Sequence, residues 1–308
     1  MKIPQKKFMP GAIYLPIRAF GDFTISAAII KKNHTEKVPV LLPEYMTGLF
    51  NALDCNNFFE IADVLKLGHY SKLFQLKKIR NFQDLYSVYE DVRIIKSNIN
   101  RNCSYLLDYK DARSRLFGSN LGYPGLGENI YTSKREFFSK YFKISGELPV
   151  IVNEKKEIKN VMLFPGSRLL SKALNDDLVV AISNELKSHG YTVKTMYHES
   201  EKTLLKDVGF FKSFSELRSL VVNADFIVSA DSLPIHVSYY FDRLHFVICN
   251  NQQNSKWETP FIRYHHSSAV YTNSNVEVVK KILSFISKIK CQLPISSNYI
   301  KLKEKSLK

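Results

Sequence analysis

Cysteine is scarce in this chain, and the cysteines that are present stand far apart. Cys55, Cys103, Cys249 and Cys291 occur singly among 308 residues, with no CxxC spacing and no paired histidines nearby. A structural zinc site needs clustered ligands, and a disulfide framework needs cysteines in a dense pattern. The sequence therefore predicts neither a disulfide framework nor a metal site, and it favours a reducing cytoplasm as the location.

Long hydrophobic runs are also missing. The stretch from residue 41 to residue 53 is interrupted by Pro43 and Glu44, whereas a bilayer-spanning helix needs about 20 predominantly apolar residues. The basic start of the chain is followed by an apolar run that Arg18 and Asp22 cut. We therefore expect no membrane-spanning helix and no secretory signal peptide.

Acidic residues are few relative to basic ones. The 44 Lys and Arg against 29 Asp and Glu give a formal net charge of +15. Nucleic acid, an anionic membrane surface or an anionic substrate would each suit this charge, and a merely solvated lysine-rich surface is the plainer interpretation. The basic tail at 301–308 has no interleaved aromatic residues. No nucleic-acid motif accompanies the charge, so no nucleic-acid partner is expected.

Strand-like and helix-like segments alternate through both halves of the chain, which predicts an α/β fold with parallel sheets. The length suits two domains, and we place them at 1–150 and 151–308, with a linker at 142–160. Predicted strands are 12–17, 37–42, 92–96, 104–107, 160–164, 191–196, 226–230 and 244–249. Predicted helices are 24–30, 45–53, 110–117, 176–186, 215–222 (opened by Ser215), 235–241 and 276–289.

The segment from residue 226 to residue 236 is the most informative. An apolar run ends in Asp231-Ser232, and His236 follows shortly after. A buried parallel strand would deliver these side chains to its carboxyl end, where open α/β sheets bind ligands. The alternative is structural: Asp-Ser is a good N-cap pair, and the histidine could be an ordinary first-turn residue.

A second candidate loop lies between a predicted strand and a predicted helix, at Pro165-Gly166-Ser167. The glycine permits close backbone approach to a phosphate, the serine adds a hydroxyl, and Arg168 or Lys172 can neutralise charge. The spacing is not that of a P-loop, and most such turns bind nothing.

Acidic residues follow two other predicted strands. Glu199 and Glu201 come after the strand that ends near residue 196, where a carboxylate can bind ribose hydroxyls, or simply start a helix. Gly21-Asp22 lies where the first strand passes to a helix. Asp22 is either the N-cap of that helix or a general base.

Together these motifs resemble glycosyltransferase family 9, the bacterial heptosyltransferase family. The similarity runs from about residue 12 to residue 286 and is densest between residues 161 and 260. The matching segments, in chain order, are 17–22, 161–172, 214–217, 223–225 and 231–236. The chain departs from the family pattern in two places, because Leu233 stands at the signature glycine and Asn250-Asn251 stand where Gly-Pro-Thr is usual.

The resemblance implies a GT-B fold, in which two Rossmann-like domains face each other across a cleft and the second holds the donor. It implies an inverting, metal-independent transfer of a sugar from a nucleotide diphosphate, without a cofactor. The first donor expected is ADP-heptose, and the acceptor is the anionic core of lipopolysaccharide, reached by peripheral contact with the cytoplasmic face of the inner membrane. The final helix and basic tail could pack on the first domain.

The resemblance also assigns roles to residues. Asp22 would be the base on the acceptor hydroxyl, and the donor would be bound by Ser167, Arg168, Lys172, Glu199, Glu201, Asp231, Ser232 and His236. Arg18, Arg113 and Arg115 are the candidate acceptor contacts. The two departures leave open another donor sugar, or a non-catalytic relative that binds nucleotide or glycan.

Overall fold

The computed structural model describes residues 12–16, 19–67, 79–98, 104–107, 128–142, 144, 148–149, 157–250 and 255–291. The chain divides into two compact units, residues 1–145 and 146–308. The unit boundary lies within the expected linker, a few residues before the division at residue 150 that the sequence suggested.

The first unit contains a parallel sheet in the order β3-β2-β1-β4. Its strands are β1 (Ala12–Leu15), β2 (Val38–Pro43), β3 (Phe59–Leu65) and β4 (Ser104–Leu107). Its helices are α1 (Phe20–Asn33), α2 (Thr47–Ala52), α3 (Phe82–Asn98) and α4 (Ile130–Tyr141). Every position of α1 from Asp22 to Ile30 is buried, so this helix is covered on more than one side.

One predicted strand of this unit is wrong. Residues 92–96 lie in α3. The alternation of Val92, Arg93 and Ile94 mimics a strand over a few residues, but the buried positions Val88, Asp91 and Ile95 recur every three or four residues, which is the helical period. The predicted helix at 110–117 lies outside the described residues.

The second unit contains a parallel sheet in the order β7-β6-β5-β8-β9-β10. Its strands are β5 (Asn160–Phe164), β6 (Thr192–His198), β7 (Gly209–Phe211), β8 (Phe226–Ala230), β9 (Leu244–Cys249) and β10 (Ser268–Val270). Its helices are α5 (Asp176–Ser188), α6 (Phe214–Asn223), α7 (Leu233–Tyr240), α8 (Pro260–His265) and α9 (Asn275–Cys291).

If the six strands of the second sheet are numbered 1 to 6 along the chain, they lie side by side in the order 3-2-1-4-5-6. This is the Rossmann order. The direction of winding reverses between β5 and β8, and ligands of such sheets bind outside the carboxyl ends of the strands at this switch point. The first sheet repeats the order 3-2-1-4. Its own switch point therefore lies between β1 and β4.

A hydrophobic cluster fixes the loops above the second sheet. It buries side chains of β5, β7, β8, α6 and α7, with the residue directly after α6: Met162, Phe164, Phe211, Leu217, Val221, Ala224, Ile227 and Val237. Helix α6 is capped by Ser213, whose Oγ accepts a hydrogen bond from the Glu216 N–H at 3.2 Å. The expected opening at Ser215 is therefore wrong by one to two positions, because Ser213 reaches the helix N–H groups first.

Within the described ranges, every helix is too short or too polar to cross a bilayer.

Candidate functional site

An ion pair lies across the switch point of the second sheet. Lys172, in the loop after β5, places Nζ 2.6 Å from Oδ2 of Asp231, the first residue after β8. The side chain of Asp231 is 16% exposed and that of Lys172 is 36% exposed. The structure thus brings together the two predicted loops, and it leaves the lysine ammonium within reach of solvent.

The loop after β5 is compact. Its carbonyl at Pro165 accepts a hydrogen bond from the Leu174 N–H at 2.9 Å, and a single 3-10 turn covers Leu170–Lys172. Ser167 is buried, and its Oγ accepts a 3.4 Å hydrogen bond from the Leu169 N–H. Arg168 is exposed. Lys172, rather than Arg168, is therefore the basic residue that this loop directs to the neighbouring strand.

Helix α7 begins directly after Asp231 and Ser232. Ser232 occupies the N-cap position, but its hydroxyl makes no hydrogen bond to the helix and instead donates to the Ala230 carbonyl at 3.4 Å. The alternative in which the serine side chain caps this helix is wrong. Helix α7 starts just after β8, so the positive end of its dipole lies at the carboxyl edge of the sheet, as in sites that bind phosphate. His236 lies buried within the first turns of the helix.

Leu233 stands where the family pattern has glycine. It is the first residue of α7 and packs against the hydrophobic cluster beneath the sheet loops. Its backbone is absent from the positive-φ residues of the described chain, so its backbone conformation does not require glycine. Leucine at this position therefore contributes to the core of the second unit.

Glu201 lies against the loop after β5. Its Oε2 accepts a hydrogen bond from the His198 N–H at 2.9 Å, and its carboxylate fills the space beside Gly166 that a side chain would need. Burial raises the pKa of Glu201, while the His198 N–H lowers it. A side chain at position 166 would displace this carboxylate, so the structure links Gly166 to an acidic side chain in the turn after β6.

Glu199 differs from Glu201. Its side chain is exposed, and its backbone N–H donates to the Phe211 carbonyl at 3.0 Å. Residues 199–201 form a turn, so the alternative of an acidic helix start is wrong. Of the two candidates for a ribose contact, Glu201 is the one that lies beside the Gly166 turn.

Asp22 of the first unit is the third residue of α1. The N-cap is Ala19, so the simpler interpretation of Asp22 as the cap is wrong. The residue is 6% exposed, and its place in the first turn suits a carboxylate because of the helix dipole. It lies at the amino end of the helix that follows β1, at the switch point of the first sheet.

Sequence reasoning missed a buried lysine beside Asp22. Lys134 on α4 is 1% exposed and donates from Nζ to the Asp22 carbonyl and to Ser26 Oγ, each at 2.8 Å. A buried ammonium is costly unless it is hydrogen-bonded. The amphipathic pattern of α4 contains no signal that marks this residue, because the contact joins positions more than 100 residues apart.

The three candidate acceptor contacts, Arg18, Arg113 and Arg115, lie outside the described residues. In the part of the chain that is described, no group of three or more His, Cys, Asp or Glu side chains could hold a metal ion.

Comparison with known proteins identifies the fold. No family model matches the sequence, and no curated protein matches it.

Solved structures do match. E. coli heptosyltransferase WaaC with ADP-2-deoxy-2-fluoro heptose is 10% identical, with a TM-score of 0.58 over 90% of this chain and 99% of that one. E. coli ADP-heptose lps heptosyltransferase II is 12% identical, with a TM-score of 0.57 over 91% and 99%. The glycosyl transferase family 9 structure from Veillonella parvula is 10% identical, with a TM-score of 0.59 over 90% and 97%. The chain has the GT-B fold of these glycosyltransferases.

The match to GT-B structures extends over both units. The expected fold class is thereby confirmed, and each unit shows the Rossmann-like winding that GT-B domains share. The second unit carries its candidate residues at the switch point of a complete six-stranded sheet.

Proposed function

We propose that the protein is an inverting, metal-independent glycosyltransferase that uses a nucleotide diphosphate sugar and needs no other cofactor. The observation that carries the proposal is the Lys172–Asp231 pair at the switch point of the second sheet. A cation beside a glycine turn and a helix N-terminus suits a diphosphate. The solved structures similar to this chain include heptosyltransferases with ADP or a fluorinated ADP-heptose, so ADP-heptose is the first donor to test.

Residues of three loops would bind different parts of the donor. Lys172, Ser167 and the N-terminus of α7 would bind the diphosphate, with Arg168, Ser232 and His236 near it. Glu201, which already lies beside Gly166, would accept hydrogen bonds from the ribose, and Glu199 would lie outside it. Asp231 would exchange its contact with Lys172 for hydroxyls of the transferred sugar.

In the transfer step, Asp22 would accept the proton of the acceptor hydroxyl as that oxygen attacks the anomeric carbon. The bond from the anomeric carbon to the diphosphate oxygen breaks in the same step, and the nucleoside diphosphate leaves with the bonding electron pair. Configuration inverts because attack and departure occur on opposite faces. Lys172 and the helix N-terminus would stabilise the negative charge that develops on the leaving group.

The acceptor proposed is an anionic glycan such as the lipopolysaccharide core, bound with the help of Arg18, Arg113 and Arg115. The net charge of +15 fits an anionic partner. Helix α3 also exposes large apolar side chains at helical spacing: Phe82, Leu85, Tyr86 and Tyr89. Lys96 lies on a later turn, while Arg93 pairs with Glu90 at 2.7 Å. The exposed apolar side chains suit peripheral contact with a membrane surface, with Lys96 as the basic residue beside them. A cytoplasmic location remains part of the proposal.

Two experiments test this function. A thermal-shift screen with ADP, UDP, GDP, CMP and their sugars should show one base that stabilises the protein most, because a ligand of the folded state raises its stability. Incubation of the protein with the matching nucleotide sugar and a lipid-A-core acceptor should then yield product. Nucleotide binding without transfer across a broad panel would favour the alternative, a non-catalytic nucleotide- or glycan-binding protein.

A further inference from the structure

We propose that Asn250 is a positioning residue for the donor diphosphate, because its amide holds the backbone on both sides of Lys172. The inference rests on the proposed function, since it concerns how Lys172 is presented to a diphosphate. Asn250 is also the first residue after β9 at which the sequence departs from the family pattern.

Asn250 reaches the loop after β5 from two strands away. It is the first residue after β9, and β8 lies between β9 and β5 in the sheet. Its Nδ2 donates to the Ser171 carbonyl at 3.3 Å and also to the Ala173 carbonyl. These two carbonyls flank Lys172. One amide group therefore ties the turn that carries the lysine to a different strand of the sheet.

The other hydrogen bonds of this turn cannot replace that tie. The Lys172 N–H donates to the Leu169 carbonyl at 2.8 Å and the Ala173 N–H donates to the Leu170 carbonyl at 3.2 Å, and both bonds stay within the loop. A lysine side chain has many rotamers, so the position of its ammonium depends on where its backbone is fixed. The contact with Asn250, directly after β9, holds that backbone where Nζ reaches Asp231, directly after β8.

The orientation of the amide supports a positioning role. With Nδ2 directed to two carbonyls, Asn250 Oδ1 is buried and has no hydrogen-bond partner within the described chain. A buried acceptor without a partner is unfavourable. Both hydrogen bonds that Nδ2 donates go to the carbonyls that flank Lys172, so this side chain acts on the turn that carries the lysine.

The test compares nucleoside diphosphates with their monophosphates. Isothermal titration with ADP and AMP, and with the UDP/UMP and GDP/GMP pairs, measures the affinity that the second phosphate adds. In the wild type this ratio should be large, and Lys172→Ala should remove most of it. Asn250→Ala should lower the same ratio about three- to tenfold, which corresponds to up to about 1.4 kcal/mol. The double variant should be no worse than Lys172→Ala alone, because both act through one contact.

A matched control separates positioning from general stability. Asn175 caps α5, where its Oδ1 accepts from the Leu178 N–H at 2.8 Å. Asn175→Ala should lower the melting temperature and leave the diphosphate-to-monophosphate ratio unchanged. Asn250→Asp keeps the size of the side chain but directs a carboxylate at the two carbonyls, and it serves as a second variant if Asn250→Ala does not fold.

The outcomes are distinguishable. If Lys172→Ala lowers the ratio and both Asn250 variants keep the wild-type value, the inference is overturned and the proposed function stands. If the wild type binds no diphosphate more tightly than its monophosphate, the proposed donor site and the inference both fail. A ratio that falls in the Asn250 variants and stays constant in Asn175→Ala supports the inference.

Discussion

Replacement of Lys172 by alanine should separate nucleotide binding from protein stability. In the ligand-free protein Lys172 contacts Asp231, whose carboxylate is mostly buried. In the proposed complex the same ammonium would contact the diphosphate. The variant therefore loses a modest interaction in the free state and a stronger one in the bound state.

The free energy lost in the free protein and the free energy lost in the nucleotide complex differ enough to be measured. The ion pair involves a lysine that is 36% exposed, and solvent screening limits such a pair to about 1 kcal/mol or less. A charge-assisted hydrogen bond to phosphate contributes about 1.5–3 kcal/mol. The wild type gives up its ion pair when it binds ADP, so the net loss of binding free energy in the variant is about 0.5–3 kcal/mol. Since 1.4 kcal/mol corresponds to tenfold, ADP affinity should fall by about 2- to 150-fold.

Titration calorimetry with ADP and thermal melts of the free protein measure the two quantities. We expect a large rise in Kd together with a melting temperature that changes by a few degrees at most. Arg168→Ala, in the same loop but exposed, is the matched control and should weaken ADP binding far less. ADP affinity that stays at the wild-type value in Lys172→Ala would refute the assignment of Lys172 to the diphosphate.

Three further predictions follow from the same geometry. Asp231→Asn should free Lys172 from its ion pair, so ADP should bind as tightly or up to about fivefold more tightly while sugar transfer falls; weaker ADP binding in calorimetry would contradict this. Burial raises the pKa of Glu201, so its contribution to stability is present below its ordinary pKa and is lost as pH rises through the raised pKa. Glu201→Gln should therefore raise the melting temperature at about pH 7 more than at about pH 4. An equal rise at the two pH values would count against a raised pKa of Glu201. Phe82→Ser should reduce sedimentation with phosphatidylglycerol vesicles, whereas Leu204→Ser, at an equally exposed site, should not.

Much of the fold could be predicted because parallel sheets leave a strong local signal. Strands β5, β8 and β9 are short apolar runs bounded by polar turns, and the sequence predicted them closely. The short strands β7 and β10 were missed, since three residues are too few for a pattern to stand out. Strand β3 was missed because most of its side chains are partly or fully exposed.

The residues of the candidate site could be predicted only where they stand close together in the sequence. The loops around Ser167 and Asp231 follow buried strands, so their meeting at one edge follows from parallel pairing. The contacts of Lys134 with Asp22 and of Asn250 with Ala173 could not be predicted. Each joins residues more than 70 positions apart through one side chain, and no local pattern encodes such a pair.

The central claim is that this GT-B chain transfers a sugar with Asp22 as the base. The most direct measurement is the transfer rate from nucleotide sugar to a glycan acceptor in wild type and in Asp22→Asn, with ADP affinity and the melting temperature measured in parallel. The account predicts that transfer falls by about a hundredfold or more, while the folded structure and ADP affinity are retained. Transfer at the wild-type rate in a folded Asp22→Asn variant would contradict it.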